Sequence, residues 1–141
     1  MIAAKPAYGI FDAAGDSIAY QQLLEQLLTE DIVFFGELHN NPIAHWLQLE
    51  MTRDMHSASR RTLVLGAEMF EADDQIIVDE YLEGYYRENN FREEAKLWDN
   101  YKTDYRPLLE FARQKELGFV ATNVPRRYAS MVSRGGFEAL E

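Results

Sequence analysis

The chain has 141 residues and a mass of 16.4 kDa, and its 24 acidic against 14 basic side chains give a formal net charge of −10 at pH 7. That length suits one domain, and a composition 47% hydrophobic and 13% aromatic supplies a core, so wholesale disorder is excluded. The acidic balance disfavours nucleic-acid binding, and the absence of cysteine removes disulfides, Cys-ligated zinc, iron–sulfur clusters and thiol catalysis.

Apolar runs of strand length alternate with helical periods along the chain. Tyr8 to Phe11 reads as a short strand closed by a turn near Gly15. Ser17 is placed to cap a helix bearing Tyr20, Leu23, Leu24, Leu27 and Leu28, spaced at three and four. Asp31 to Gly36 is apolar at nearly every position, as in a strand buried on both faces. Asn41-Pro42 opens the next helix, with Ile43, Leu47, Met51 and Met55 as its expected buried stripe. Arg61 to Ala67 reads as another buried strand, and Asp73-Asp74 start a helix through Ile76, Ile77, Tyr81 and Leu82 that breaks near Gly84.

From Tyr85 to Tyr105 the chain is polar and aromatic, helical in parts. Pro107 restarts a helix with Leu108, Leu109, Phe111 and Ala112, for which Gly118 is the expected C′ residue. Gly118 to Thr122 is a fourth strand, and a last helix runs from Pro125 to Gly135-Gly136. Strands alternating with helices of this length imply an α/β fold, a parallel-rich sheet flanked by helices, in one domain over residues 1–141. The longest apolar stretches, such as Ile32 to Gly36, are too short to span a bilayer, and no Lys/Arg-then-apolar leader precedes Ala13.

Ligands of open parallel sheets bind beyond the carboxyl ends of the strands. There the sequence sets Glu37, His39 and Asn40 after the second strand, Glu68 after the third, and Asn123 and Arg126 after the fourth. These groups are expected to share one rim. Glu37 and His39, two apart, point to one side of an extended segment. They can ligate a metal or act as acid and base, or simply hydrogen-bond across a turn. His45 falls about 200° from Ile43 around its helix, as a rim residue or a solvent-facing one. His56 near the helix end suits the dipole there. Glu68 is costly to bury without a partner, for which Arg126 or a metal would serve. Arg126 and Arg127 begin the last helix, where anions are favoured. Six of the Tyr and Trp residues crowd between Tyr81 and Tyr105, as packing rings or as a flat slot with a tyrosinate for ferric haem.

The string Gly36-Glu-Leu-His-Asn-Asn-Pro-Ile-Ala-His45 resembles the ChaN family of iron-regulated, haem-binding bacterial lipoproteins, within the Tiki/TraB/erythromycin-esterase superfamily. The likeness continues through Leu65-Gly-Ala-Glu-Met-Phe70, Gln75, Trp98, Tyr105-Arg-Pro-Leu-Leu109 with Phe111-Ala112, and closes on Thr122-Asn-Val-Pro-Arg126 and the Ser133-Arg-Gly-Gly136 run. It implies a haem-binding protein of an iron or haem uptake system, located in the cell envelope and lipid-anchored, handing its cargo to a transport component. It also implies that this chain corresponds to the N-terminal half of the family domain, so the sheet is incomplete and a homodimer is expected to cover it. On that basis Tyr101 and Tyr105 are the expected ferric-haem ligands, Trp98 flanks the ring, and Arg126 and Arg127 meet the propionates. The superfamily's alternative is a metal-dependent hydrolase using Glu37, His39 and Glu68, with a divalent metal and with His45 and Asn123 on the rim.

Overall fold

A computed structural model of the chain describes residues 6–141. The chain divides into two compact units at the Leu63/Val64 junction. It is mixed α/β, with six α-helices and a two-stranded parallel sheet among the described residues.

The first unit is helical. The Tyr8–Phe11 segment forms a single antiparallel bridge, Phe11 to Ser17, around a turn in which Gly15 takes φ 90°. Asp12 holds that turn by accepting from the amides of Ala14 and Asp16, both at 2.9 Å. Ser17 is therefore engaged in the bridge and caps nothing; α1 (Tyr20–Leu27) begins at Ala19 without a side-chain cap. Helix α2 (Pro42–Ala58) starts as the sequence predicts, with Asn41 Oδ1 accepting from Ile43 and Ala44 at 3.0 and 3.2 Å. The Tyr20 hydroxyl donates to Asp54 at 2.8 Å and ties α1 to α2.

Residues 31–36 enter no ladder among the described residues. Ile32 and Phe34 stand 72% and 92% exposed, so the expectation of a doubly buried strand is not met here. An apolar run specifies extended backbone; pairing needs a neighbour, and a neighbour is not a local property.

The second unit is a β-α-β crossover. Strand β1 (Val64–Glu71) pairs in parallel with β2 (Gly118–Asn123), in the register Leu65 to Phe119 and Ala67 to Ala121. The register shifts between Ala67 and Glu71, and this irregularity carries both Met69 and Phe70 into the core, where strict alternation would admit only one. The strand thus runs four residues beyond Ala67, and Glu68 lies within it.

Between the strands come α3 (Gln75–Leu82), α4 (Glu88–Glu94) and α5 (Arg106–Gln114). Helix α3 stops at Gly84, whose φ of 81° lets Tyr85 N–H donate back to Glu80 O. The turn at 101–105 is wide, the Arg106 N–H reaching Tyr101 O five residues back, and it feeds directly into α5. Leu108, Leu109, Phe111 and Ala112 are all buried, as their spacing predicts. At the end of α5 the left-handed residue is Glu116 (φ 54°), not Gly118, which already belongs to β2. The core is aromatic: Tyr81 stacks on Phe91 at 4.4 Å, and Phe70 meets Phe119 edge-on at 5.6 Å. The Gln75 side chain donates to Phe119 O at 2.8 Å and accepts from Ala121 N–H at 2.7 Å, occupying the β2 edge as a third strand would. Helix α6 (Arg126–Gly135) follows β2 and buries no residue fully.

Candidate functional site

Two groups of chemistry-bearing residues stand in the two units. In the first unit, Glu37 bridges two histidines. Its Oε1 lies 3.2 Å from His39 Nδ1 and its Oε2 lies 3.1 Å from His45 Nδ1. His45 is 5% exposed, so the solvent-facing alternative for it is set aside; α2 turns His45, rather than Ile43, inward. The other nitrogen of His45, Nε2, lies 3.1 Å from His39 O. A carbonyl can only accept, so Nε2 carries a proton. Asn41 N–H donating to Leu38 O at 2.8 Å closes the turn that holds this cluster ahead of α2.

Among the described residues, no group of three or more His, Asp or Glu is arranged to hold a metal ion. Glu68, the third residue of the metal reading, is exposed on β1. The expected Glu68–Arg126 partnership is replaced by one with Glu71, which the longer strand carries to its end: the Arg126 backbone N–H donates to Glu71 Oε2 at 3.1 Å.

In the second unit a cleft of about 610 Å³ opens where the two strands end, lined among others by Glu71, Trp98, Asn123, Arg126, Ser130 and Arg134. Two of the residues expected at the strand-end rim, Asn123 and Arg126, therefore line one cleft with Trp98, which the family likeness placed beside the haem ring. The Glu71 carboxylate also takes the Lys96 ammonium at 3.1 Å, which holds the Lys96 pKa above its usual value. Lys96 reaches Asp73 at 3.4 Å and Asp74 at 3.8 Å. Arg127 does not line the cleft. It pairs with Asp73, lowering the pKa of that carboxyl, and lies over the Tyr128 ring at 4.7 Å. The Arg126 guanidinium has no partner among the described residues.

Tyr101 and Tyr105 are 2% and 6% exposed. The Tyr101 hydroxyl is buried without a hydrogen-bond partner, and burial, with Tyr81 and nearby carboxylates, pushes its pKa far above the usual phenol range. Both side chains are thus packed inside the second unit in this conformation. Their packing has a clear cause: Tyr101 meets Phe91 at 6.0 Å, and Tyr105 meets Trp98 edge-on at 5.5 Å. The sequence reading gave no site role to Ser130, Ser133 or Arg134, although the last two belong to the family likeness. They stand four, seven and eight residues after Arg126, a helical face that counting along α6 would have exposed.

The family model described as "Haem-binding uptake, Tiki superfamily, ChaN" matches residues 23–141. A solved structure described as cofacial heme binding to ChaN of Campylobacter jejuni is similar in fold, with a TM-score of 0.66 at 14% identity. The alignment covers 86% of this chain and 50% of that one, so the chain spans about half the length of its solved relative. No curated protein matches the sequence.

Proposed function

Because the chain belongs to the ChaN family of haem-binding uptake proteins in the Tiki superfamily, we propose that it binds ferric haem for a bacterial iron or haem uptake system. The observation that carries this reading is the extent of the family match, which takes in Trp98, Asn123, Arg126 and Arg134 and hence the cleft of the second unit. The cleft suits the group: its size is that of a small-molecule site, an indole offers a flat apolar wall, and arginines offer counter-charge. When bound, haem supplies a ferric centre that takes an axial ligand from the protein. With no cysteine in the chain, we propose an oxygen ligand, a tyrosinate; Tyr101 or Tyr105 would have to turn out of the core to provide it.

We further propose an envelope location with a lipid anchor and delivery of the haem to a transport component. The C. jejuni relative is described as binding haem cofacially, and a homodimer presenting one haem per copy would give this chain the same arrangement. Adding hemin to the purified chain and recording the Soret band tests the core of the proposal. A saturable shift at micromolar protein is the expected result.

A further inference from the structure

The face of α6 that lines the cleft carries Arg126, Ser130, Ser133 and Arg134, which fall within an arc of about 100° at 100° per residue. Arg126 and Arg134, eight residues apart, stand about 12 Å apart along the helix axis. Neither guanidinium has an acidic partner among the described residues; Arg134 Nε donates only to Ser130 O, one turn back, at 3.2 Å. This is unusual in a chain of net charge −10, where the neighbouring Arg127 is paired with Asp73 and Lys96 with Glu71. The acidic group that does line the cleft, Glu71, is engaged by Lys96 and by the Arg126 amide, so its charge is answered from within the protein. Trp98, which Tyr105 meets edge-on, also lines the cleft.

From this arrangement we infer that the cleft is a receptor for an anionic, flat tetrapyrrole: Arg126 and Arg134 bind its two carboxylates, Ser130 and Ser133 add hydroxyl donors between them, and Trp98 covers the ring. The inference rests on the haem-binding reading and makes it specific, because it assigns the carboxylates of the ligand, and not the iron, to α6. Planar guanidinium forks are suited to carboxylates, and such charge-assisted bonds are stronger than neutral ones. Arg127, which the sequence suggests equally, has no part in it.

The experiment compares hemin with hemin dimethyl ester, which keeps the ring and iron but loses both negative charges, in one detergent-containing buffer. Both are titrated into the full chain and into Arg126→Gln, Arg134→Gln and the double variant, with folding checked by circular dichroism. The wild type should prefer hemin roughly tenfold or more, and the double variant should lose that preference while its affinity for the ester is unchanged. Arg126→Lys should restore part of it. Equal hemin-to-ester ratios in wild type and double variant would overturn the assignment of α6 while leaving haem binding intact. Failure of both ligands to bind the wild type would overturn the haem-binding reading itself, and this inference with it.

Discussion

Glu37 and His45 meet at 3.1 Å, Oε2 to Nδ1, with the histidine side chain 4% exposed and the carboxylate 11% exposed. The same carboxylate reaches His39, whose side chain is 57% exposed. The contrast sets the order of two substitutions. His45→Ala removes a buried group that also donates to the backbone of the turn, and should cost about 1–3 kcal/mol. His39→Ala removes an exposed partner and should cost less than about 1 kcal/mol. Urea unfolding of both variants checks the order; equal losses would contradict the bridging role given to His45.

Gln75 closes the outer edge of β2 by bonding Phe119 O and Ala121 N–H. In Gln75→Ala both backbone groups lose their partner, and the unfolding midpoint should fall by the equivalent of about 1–3 kcal/mol. Gln75→Leu, which restores bulk without the amide, should recover little of it. Full recovery would show that the side chain acts by packing alone.

Asp73 has its pKa lowered first by the hydrogen bond from Arg127 and further by Lys96. A carboxyl depressed in the folded state adds stability above its unfolded pKa, about 3.9, which is lost as the pH falls through the folded value. Arg127→Gln should therefore make unfolding less sensitive to acid below about pH 4. Identical acid profiles for wild type and variant would contradict the pairing.

Tyr81 is fully buried, and burial together with the hydrogen bond to Glu110 pushes its pKa up to about 12. Its unfolded value is about 10, so the folded state holds the proton longer and stability falls as the pH rises from about 10 toward the folded value. Tyr81→Phe should be less stable at neutral pH by about 1–3 kcal/mol, and the deficit should shrink through that alkaline window. A deficit that stays constant with pH would refute the assignment.

What was legible in the sequence was local. The Asn41-Pro42 start of α2, the Gly84 stop of α3 and the buried face of α5 each follow from a few neighbouring residues, and each is present. What was not legible depended on distant partners. Residues 31–36 are apolar enough for a strand, but a ladder needs a second strand in register, and no neighbouring residue specifies one. Arg126 and Arg127 look alike in sequence; Asp73, more than fifty residues earlier, separates them by engaging only one side chain. The irregular register of β1 moved the carboxylate at the strand end from Glu68 to Glu71, which alternation alone would not predict.

Trp98 stands in the cleft and supplies its flat wall, so the most direct test of the account is a hemin titration of the wild type beside Trp98→Ala, followed at the Soret band. The account predicts a saturable shift at micromolar protein in the wild type, and binding weaker by roughly tenfold in the variant. A wild-type chain that leaves the hemin spectrum unchanged would contradict haem binding, and equal affinities in the two proteins would contradict its location in this cleft.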